Sequence, residues 1–99
     1  MAQNPPIRRR VDCINKRDRL DPHDRIEAIG GVDGGRRWRR AEADAIADIE
    51  SGRVGYYVER PAGHRVEVVV ATRLGRKYLK TTADGERPDN LLALPECPR

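Results

Sequence analysis

Apolar residues alternate with polar residues in several short runs, and this period of two is typical of half-buried β-strands. In the first run Ile7, Val11 and Cys13 share one side, which Arg9 interrupts as a residue on an edge strand would. We therefore predict five strands, at residues 7–14, 25–29, 54–60, 64–71 and 77–82.

One segment, residues 41–51, follows a helical period instead. At 100° per residue Ile46 and Ile49 fall within one apolar stripe, whereas Asp48 lies well away from it. Gly52 follows in the position of the left-handed residue that commonly ends a helix. The pattern therefore predicts one amphipathic helix between the second and third strands.

These elements define an architecture. The short connections after the helix require antiparallel pairing of the last three strands. We therefore expect a two-layer α+β domain in the order ββαβββ, with the helix packed on one face of a mainly antiparallel sheet. In this arrangement Ile46 and Ile49 of the helix would pack against the valines of 64–71. Residues 1–6, which include two prolines, are expected to form a flexible lead, and 7–97 a single domain.

Length and composition narrow the class of protein. A chain of 99 residues has room for one modest core, which excludes a large multi-domain enzyme. Charged residues make up 36% and apolar residues 37%, and no run approaches the roughly 18 apolar residues that a membrane span needs. The first residues also lack the apolar region of a secretory signal. We expect a cytoplasmic protein that does not bind membranes.

The two cysteines, Cys13 and Cys97, lie near opposite ends of the chain, and neither belongs to a CxxC pair. In a reducing cytoplasm free thiols are expected, and a disulfide is the alternative. The spacing gives no support to a metal site shared with His23 and His64. We therefore expect no metal site and no cofactor.

The charge balance is basic. Lys and Arg number 20 against 16 Asp and Glu, and the sequence pI is about 9.5. Residues 1–40 carry 11 basic and 6 acidic side chains, so the excess is concentrated in the first part of the chain. A basic surface attracts polyanionic partners over long range.

The most suggestive local feature is Trp38, which stands between Arg36-Arg37 and Arg39-Arg40. Single-stranded nucleic acid is held by aromatic faces that stack on bases and by guanidinium groups that bind phosphates. The alternative is that Trp38 anchors the junction between strand and helix in a core that is poor in aromatic residues.

A second basic group surrounds the last predicted hairpin and consists of Arg73, Arg76, Lys77 and Lys80. With Tyr57 or Tyr78 pointing outward, it would form a sheet surface similar to an RNA-binding platform. The alternative is that these charges protect an exposed edge strand from aggregation.

Catalysis would need a base or nucleophile held beside an oxyanion or phosphate site. His23 lies in a predicted loop and His64 in a tight hairpin, and neither belongs to a recognisable motif. The glycine pairs at 30–31 and 34–35 match no phosphate-binding loop. We therefore expect no catalytic residue, and a small ribonuclease-like toxin is the least favoured interpretation.

Several short motifs, spread over residues 7–97, point to one family. They are Asp21-Pro22, Ile29-Gly30-Gly31, Trp38, Tyr78-Leu79-Lys80-Thr81 and the ending Asn90-Leu91-Leu92-Ala93-Leu94-Pro95-Glu96-Cys97. In this combination the chain resembles the uncharacterised "domain of unknown function 3892" family of small bacterial, archaeal and phage proteins. The resemblance implies a small protein that stands alone, and it implies no reaction and no site residue.

Taken together, these observations predict a small non-enzymatic binding module. Nucleic acid is the first partner to test, and another protein, bound by an interaction or accessory module whose charges are only a solvated surface, is the alternative. The nucleic-acid hypothesis needs the two basic groups to gather on one face. Its candidate residues are Arg36, Arg37, Trp38, Arg39, Arg40, Arg73, Arg76, Lys77 and Lys80.

Overall fold

Seven strands and two helices follow one another in the computed structural model, which describes residues 7–17, 25–60, 63–84 and 89–98. The predicted flexible lead, 1–6, and most of the predicted loop with His23 lie outside these residues. The elements are β1 (Ile7–Arg10), β2 (Cys13–Lys16), β3 (Ile26–Asp33), β4 (Arg36–Ala41), α1 (Glu42–Ser51), β5 (Val54–Arg60), β6 (His64–Arg73), β7 (Arg76–Thr81) and α2 (Asp89–Leu92).

The strands form two sheets rather than the single sheet expected from the sequence. A four-stranded sheet has the order β1-β5-β6-β7, in which β1 is parallel to β5 and the other pairs are antiparallel. An antiparallel three-stranded sheet has the order β2-β3-β4. The α+β class, the predominance of antiparallel pairing and the β5–β6 hairpin agree with the sequence, whereas the order ββαβββ does not.

The first predicted strand, 7–14, is in fact two strands in different sheets. The backbone N–H of Val11 donates to the carbonyl of Tyr57 at 2.8 Å, which holds it to the four-stranded sheet. The next N–H, that of Asp12, donates to the carbonyl of Gly30 at 3.0 Å, in the three-stranded sheet. The chain therefore crosses between the sheets here, while its alternation of side chains continues.

Strand β4 is the second difference from the prediction. It pairs with β3 through a two-residue turn, in which Gly34 and Gly35 have φ angles of 58° and 79°. Positive φ at both central positions gives the turn the twist that a hairpin needs. The arginine-rich run of β4 is at the edge of its sheet and mostly exposed, so it lacks the apolar alternation by which strands are recognised.

Helix α1 packs against strands of both sheets and closes the core. Its Ile46 is buried, and Ile49 is partly buried against the same core, to which the half-buried valines Val66 and Val70 also pack. Gly52 ends the helix with a φ of 75° and donates its N–H to Ile49 at 3.1 Å, which confirms the predicted helix and its end.

The C-terminal segment is tied to the start of the chain by a disulfide between Cys13 and Cys97, so the expected free thiols are wrong for this structure. The physical reason is that residues 95–97 lie alongside β2. Ile14 donates to the carbonyl of Pro95 at 3.0 Å and accepts from the N–H of Cys97 at 2.9 Å, which brings the two sulfurs together. Both cysteines are buried.

Glycine is required where the disulfide packs. A Cβ atom built on Gly30 would lie 2.8 Å from the sulfur of Cys97 and 3.0 Å from that of Cys13. Both distances are shorter than a van der Waals contact, so a larger residue would push the bridge out of place.

Within the described ranges, neither helix is long and apolar enough to span a bilayer.

We predict that Cys97→Ser lowers the free energy of unfolding by about 2–5 kcal/mol, because the disulfide restricts the unfolded chain over a long loop. The bridge spans a sequence separation of 84 residues. Urea denaturation with and without dithiothreitol measures the effect. The reductant should destabilise the wild type and leave the variant unchanged, and a variant as stable as the oxidised wild type would contradict the prediction.

Candidate nucleic-acid interface

Strand alternation divides the first candidate group, residues 36–40, between two faces of β4. Successive side chains of a strand point to opposite sides, so Arg37 and Arg39 share one face while Arg36, Trp38 and Arg40 share the other. The five side chains therefore do not form one surface.

The face of Arg37 and Arg39 is engaged in contacts that hold the three-stranded sheet. Arg37 Nη1 lies 3.7 Å from Asp12 Oδ1. Arg39 Nε donates to the side-chain oxygen of the buried Asn15 at 2.7 Å, and its Nη2 lies 3.4 Å from Glu27 Oε1. These guanidinium groups are partly neutralised, and Arg39 also satisfies a buried polar side chain.

On the opposite face, Arg40 binds a buried carboxylate. Its Nε and Nη2 donate to Asp48 Oδ2 and Oδ1, each at 3.0 Å, and the hydroxyl of the buried Tyr56 donates to Oδ2 at 2.7 Å. Arg53 Nη2 lies 3.8 Å from Asp48 Oδ1. The expectation that Asp48 lies away from the core is wrong, because these partners from β4 and β5 replace the water that a buried carboxylate loses.

The electrostatics of this network fix its protonation. Burial by itself raises the pKa of Asp48, but the hydrogen bonds from Tyr56 and Arg40 and the charges of Arg40 and Arg53 hold it below its ordinary value. Burial, and then the hydrogen bond to Asp48, raise the pKa of Tyr56 to about 12. The pairing with Asp48 raises the pKa of Arg40. At neutral pH the carboxylate is ionised and the phenol is neutral.

Trp38 is a packing residue at the junction of the two sheets. Its ring centroid lies 5.5 Å from that of Tyr56, and the guanidinium carbon of Arg9 lies 5.4 Å above its ring. A Cβ built on Gly31, its cross-strand partner, would come within 3.1 Å of the indole nitrogen. The indole is half-buried against the core. This position agrees with the alternative in which Trp38 is an anchor of the core rather than a surface for stacking on bases.

The second candidate group lies in the β6–β7 hairpin of the other sheet. Arg73 is paired across the strands with Arg76, and Lys80 with Val69. Lys77 Nζ lies 2.7 Å from Glu50 Oε2 at the end of α1. Residues 72–77, which we call the hairpin end, are all exposed, so both faces of the ribbon project from the body of the protein.

The turn of this hairpin contains an unusual residue. Leu74 has a φ of 52° and Gly75 a φ of 77°, so both central positions are left-handed, as they are in the turn at 34–35. There both positions are glycine, whereas here a leucine occupies the first one and is 94% exposed. A left-handed conformation costs a residue with a side chain about 1–2 kcal/mol.

Two groups of arginines fall outside the nine candidates. Arg9, whose break in the apolar pattern is visible in the sequence, and Arg53 line a surface depression with Arg40. On the outer face of the four-stranded sheet, Tyr57 has the guanidinium carbons of Arg8 and Arg65 at 5.4 and 4.7 Å from its ring centroid. Of the two tyrosines considered for an RNA-binding platform, Tyr57 points outward and Tyr78 is buried.

The residues considered for catalysis do not assemble. His64 is exposed at the start of β6, and His23 lies outside the described residues. Within the ranges that the structure describes, no three His, Cys, Asp or Glu side chains are grouped so that they could hold a metal ion.

Most of the chain matches one known protein family. A family model with the description "Protein of unknown function (DUF3892)" matches residues 10–95 of the 99-residue chain. The chain belongs to the DUF3892 family. No curated protein and no solved structure matches it.

Several motifs that carry the DUF3892 resemblance have a structural explanation. Gly30 makes room for the disulfide. Asn90 donates its side-chain nitrogen to Asp84 Oδ1 at 2.7 Å and to the hydroxyl of the buried Thr81 at 3.1 Å. This bonding links the end of β7 to α2 and positions Leu91, which is fully buried. These positions maintain the fold and by themselves indicate no ligand.

We predict that Tyr56→Phe lowers the free energy of unfolding of this DUF3892 protein by about 1.5–3 kcal/mol at pH 7, because a buried hydrogen bond to a charged group is lost. The effect should shrink at acid pH. The lowered pKa of Asp48 gives stability above its unfolded value of 3.8 that is lost as the pH falls through the folded value.

The effect should also shrink at alkaline pH, because the raised pKa of Tyr56 gives stability that is complete below its unfolded value of 10.0 and is lost as the pH rises towards about 12. Urea denaturation of both proteins across this range is the measurement, with Tyr57→Phe as the matched control. A difference that does not change with pH would show that the network is not the cause.

Proposed function

We propose that this DUF3892 protein is a small non-enzymatic module that binds nucleic acid through the hairpin end, residues 72–77. The observation that carries the proposal is Leu74, an exposed leucine in a left-handed conformation between two arginines.

Leu74 is unfavourable for the isolated fold. Glycine would occupy the same position without the cost of the left-handed conformation, as Gly34 does in the other two-residue turn. Exposure of the side chain gives no compensation within the chain. Strained residues of this kind are found where a binding function maintains them. Burial of a leucine by a partner contributes about 1.5–3 kcal/mol, which is of the same order as the strain or larger.

The side chains beside Leu74 are cationic. Arg73 and Arg76 are directly opposite in the register, so two exposed guanidinium groups flank the turn. Their charges attract the phosphates of a polyanion. The hairpin end therefore combines an apolar tip with cationic flanks. A partner that offers phosphates on either side of an apolar surface would contact both the leucine and the arginines.

A duplex nucleic acid offers that combination. Apolar side chains such as leucine enter as wedges between base steps while neighbouring cations bind the phosphates. Wedges of this kind act from the minor groove, which β-ribbons also enter, and the exposure of residues 72–77 on both faces leaves the ribbon accessible. Among the sequence candidates, Arg73, Arg76 and Lys77 would then contact the ligand, and Trp38 would act in the core.

The absence of catalysis is part of the proposal, and the two buried residues Asp48 and Tyr56 are unsuited to acid–base catalysis. General acid–base catalysis needs groups whose pKa lies near the working pH. The pKa of Asp48 is held below its ordinary value and that of Tyr56 is raised to about 12, so neither exchanges a proton near neutrality. Cleavage of RNA that disappears with His64→Ala would contradict this part of the proposal.

Nucleic-acid binding agrees with the cytoplasmic location expected from the sequence, which we retain as a proposal. Disulfides are uncommon in that compartment. The burial of Cys13 and Cys97 limits the access of thiol reductants, which slows exchange. Recovery of the protein outside the cell envelope would contradict this location.

The test is a titration of labelled duplex DNA and single-stranded RNA by fluorescence anisotropy at several salt concentrations. Contacts to two or three phosphates predict a log–log slope of about −2 to −3 for the duplex. Leu74→Gly should weaken duplex binding by about ten-fold or more while leaving stability unchanged or higher, because wedge contacts are lost and strain is removed. Separate urea denaturation of this variant shows whether the fold is retained.

Two matched double variants locate the surface. Arg73→Gln with Arg76→Gln should reduce the steepness of the salt dependence, whereas Arg8→Gln with Arg65→Gln removes the same charge from the Tyr57 face and should have little effect. Equal losses in the two would overturn the assignment to the hairpin end. If neither nucleic acid binds at low salt, the proposal fails and the protein-interaction module remains.

A further inference from the structure

A second feature of the molecule points to a ligand and lies apart from the hairpin end. It is a surface depression of about 310 Å³ where β1, the end of β4 and the start of β5 meet. Its walls are formed by Ile7, Arg9, Arg40, Asp48, Arg53 and Val54.

The depression has an excess of positive charge. It contains three guanidinium groups and one carboxylate, that of Asp48. This carboxylate already accepts hydrogen bonds from Tyr56 and twice from Arg40, so its oxygens are largely satisfied. Among the lining residues an excess of two positive charges therefore remains to attract an anion from solution, and Asp33, which lies outside the lining, offsets part of the charge of Arg9.

The three guanidinium groups differ in how firmly they are held. Arg40 is fixed by its two-pronged contact with Asp48, which uses Nε and Nη2 and leaves Nη1 outside that pair. Arg53 is 74% exposed, and its one ion pair within the described ranges is the 3.8 Å contact to Asp48. Arg9 rests on Trp38 and lies 3.8 Å from Asp33, beyond hydrogen-bonding distance.

The buried Nε of Arg9 has no hydrogen-bond acceptor in the part of the chain that the structure describes. Reorientation of this side chain towards a ligand therefore breaks no hydrogen bond at that nitrogen and gives up its 3.8 Å contact with Asp33 Oδ2 and its contact with the Trp38 ring. The guanidinium of Arg40 is preorganised, which reduces the ordering that binding requires, and those of Arg9 and Arg53 can close around an anion.

We propose that this depression binds a phosphate monoester, with the guanidinium groups on the phosphate and an apolar portion of the ligand against Ile7 and Val54. A phosphate monoester carries about −1.5 to −2 charges at pH 7, which matches the excess charge of the site better than a carboxylate does. Guanidinium forks also match the geometry of phosphate oxygens. The site shares no residue with the hairpin end, so it does not rest on the nucleic-acid proposal.

The first experiment uses the protein's own reporter. Trp38 is the sole tryptophan in the sequence and lies beneath Arg9, so its fluorescence should change when Arg9 moves to a ligand. The probes are n-butyl phosphate, inorganic phosphate and pentanoate, each titrated at constant ionic strength. We expect saturable changes with both phosphates, tighter binding of butyl phosphate, and at least about ten-fold weaker binding of pentanoate. The NMR signals of the arginine Nε–H groups provide a second readout.

The second experiment assigns the site. Arg53→Gln should weaken phosphate binding by about ten-fold or more, since a charge-assisted contact is lost from an exposed side chain that the core does not need. Arg65→Gln removes the same charge from a different face and should leave it unchanged. Absence of a saturable change with either phosphate, or equal losses in the two variants, would overturn the proposal.

The two proposals fail separately. Arg53→Gln should leave duplex binding at the hairpin end intact, and Leu74→Gly should leave butyl phosphate binding intact. If butyl phosphate binds and the duplex does not, only the hairpin proposal is lost. If Arg53→Gln and Leu74→Gly both weaken both ligands, the anion site is not separate and the present inference is wrong.

Discussion

The carboxylate of Asp48 is the point at which the three main parts of the molecule meet. It belongs to α1, it accepts hydrogen bonds from Arg40 of the three-stranded sheet and it accepts another from Tyr56 of the four-stranded sheet. A buried charge is tolerated only where hydrogen bonds and opposite charge replace its hydration, so this carboxylate constrains both sheets at once. The position of Arg40 and the shape of the neighbouring depression follow from this constraint.

The parts of the fold that depend on local periodicity could be predicted from the sequence. Helix α1, its end at Gly52 and the hairpin of β5 and β6 follow from patterns within a few residues of one another. The change of sheet at Val11 and Asp12 could not be predicted, because alternation continues through it and only the backbone partners differ. The disulfide depends in the same way on pairing between distant segments.

The candidate sites show a similar division. The basic character of the β6–β7 hairpin is visible in the sequence, but the left-handed φ and exposure of Leu74 require coordinates. Arg9 can be recognised in the sequence because it interrupts an apolar face. Nothing in the sequence indicates that Arg53 lies beside Arg9 in the depression. Counting charges in a run such as 36–40 overestimates a binding surface, because strand alternation separates neighbours and carboxylates from other elements neutralise them.

The disulfide between Cys13 and Cys97 has a consequence for biosynthesis. Translation delivers the first strands long before the segment that lies beside β2, and β1 must also wait for its parallel partner β5. While the ribosome still encloses residues 95–97, the edge of β2 lacks the backbone hydrogen bonds that Ile14 makes with Pro95 and Cys97, and Cys13 has no disulfide partner. The native structure is therefore completed only after that segment has left the exit tunnel, and the nascent chain spends this interval with a free thiol and an open sheet edge.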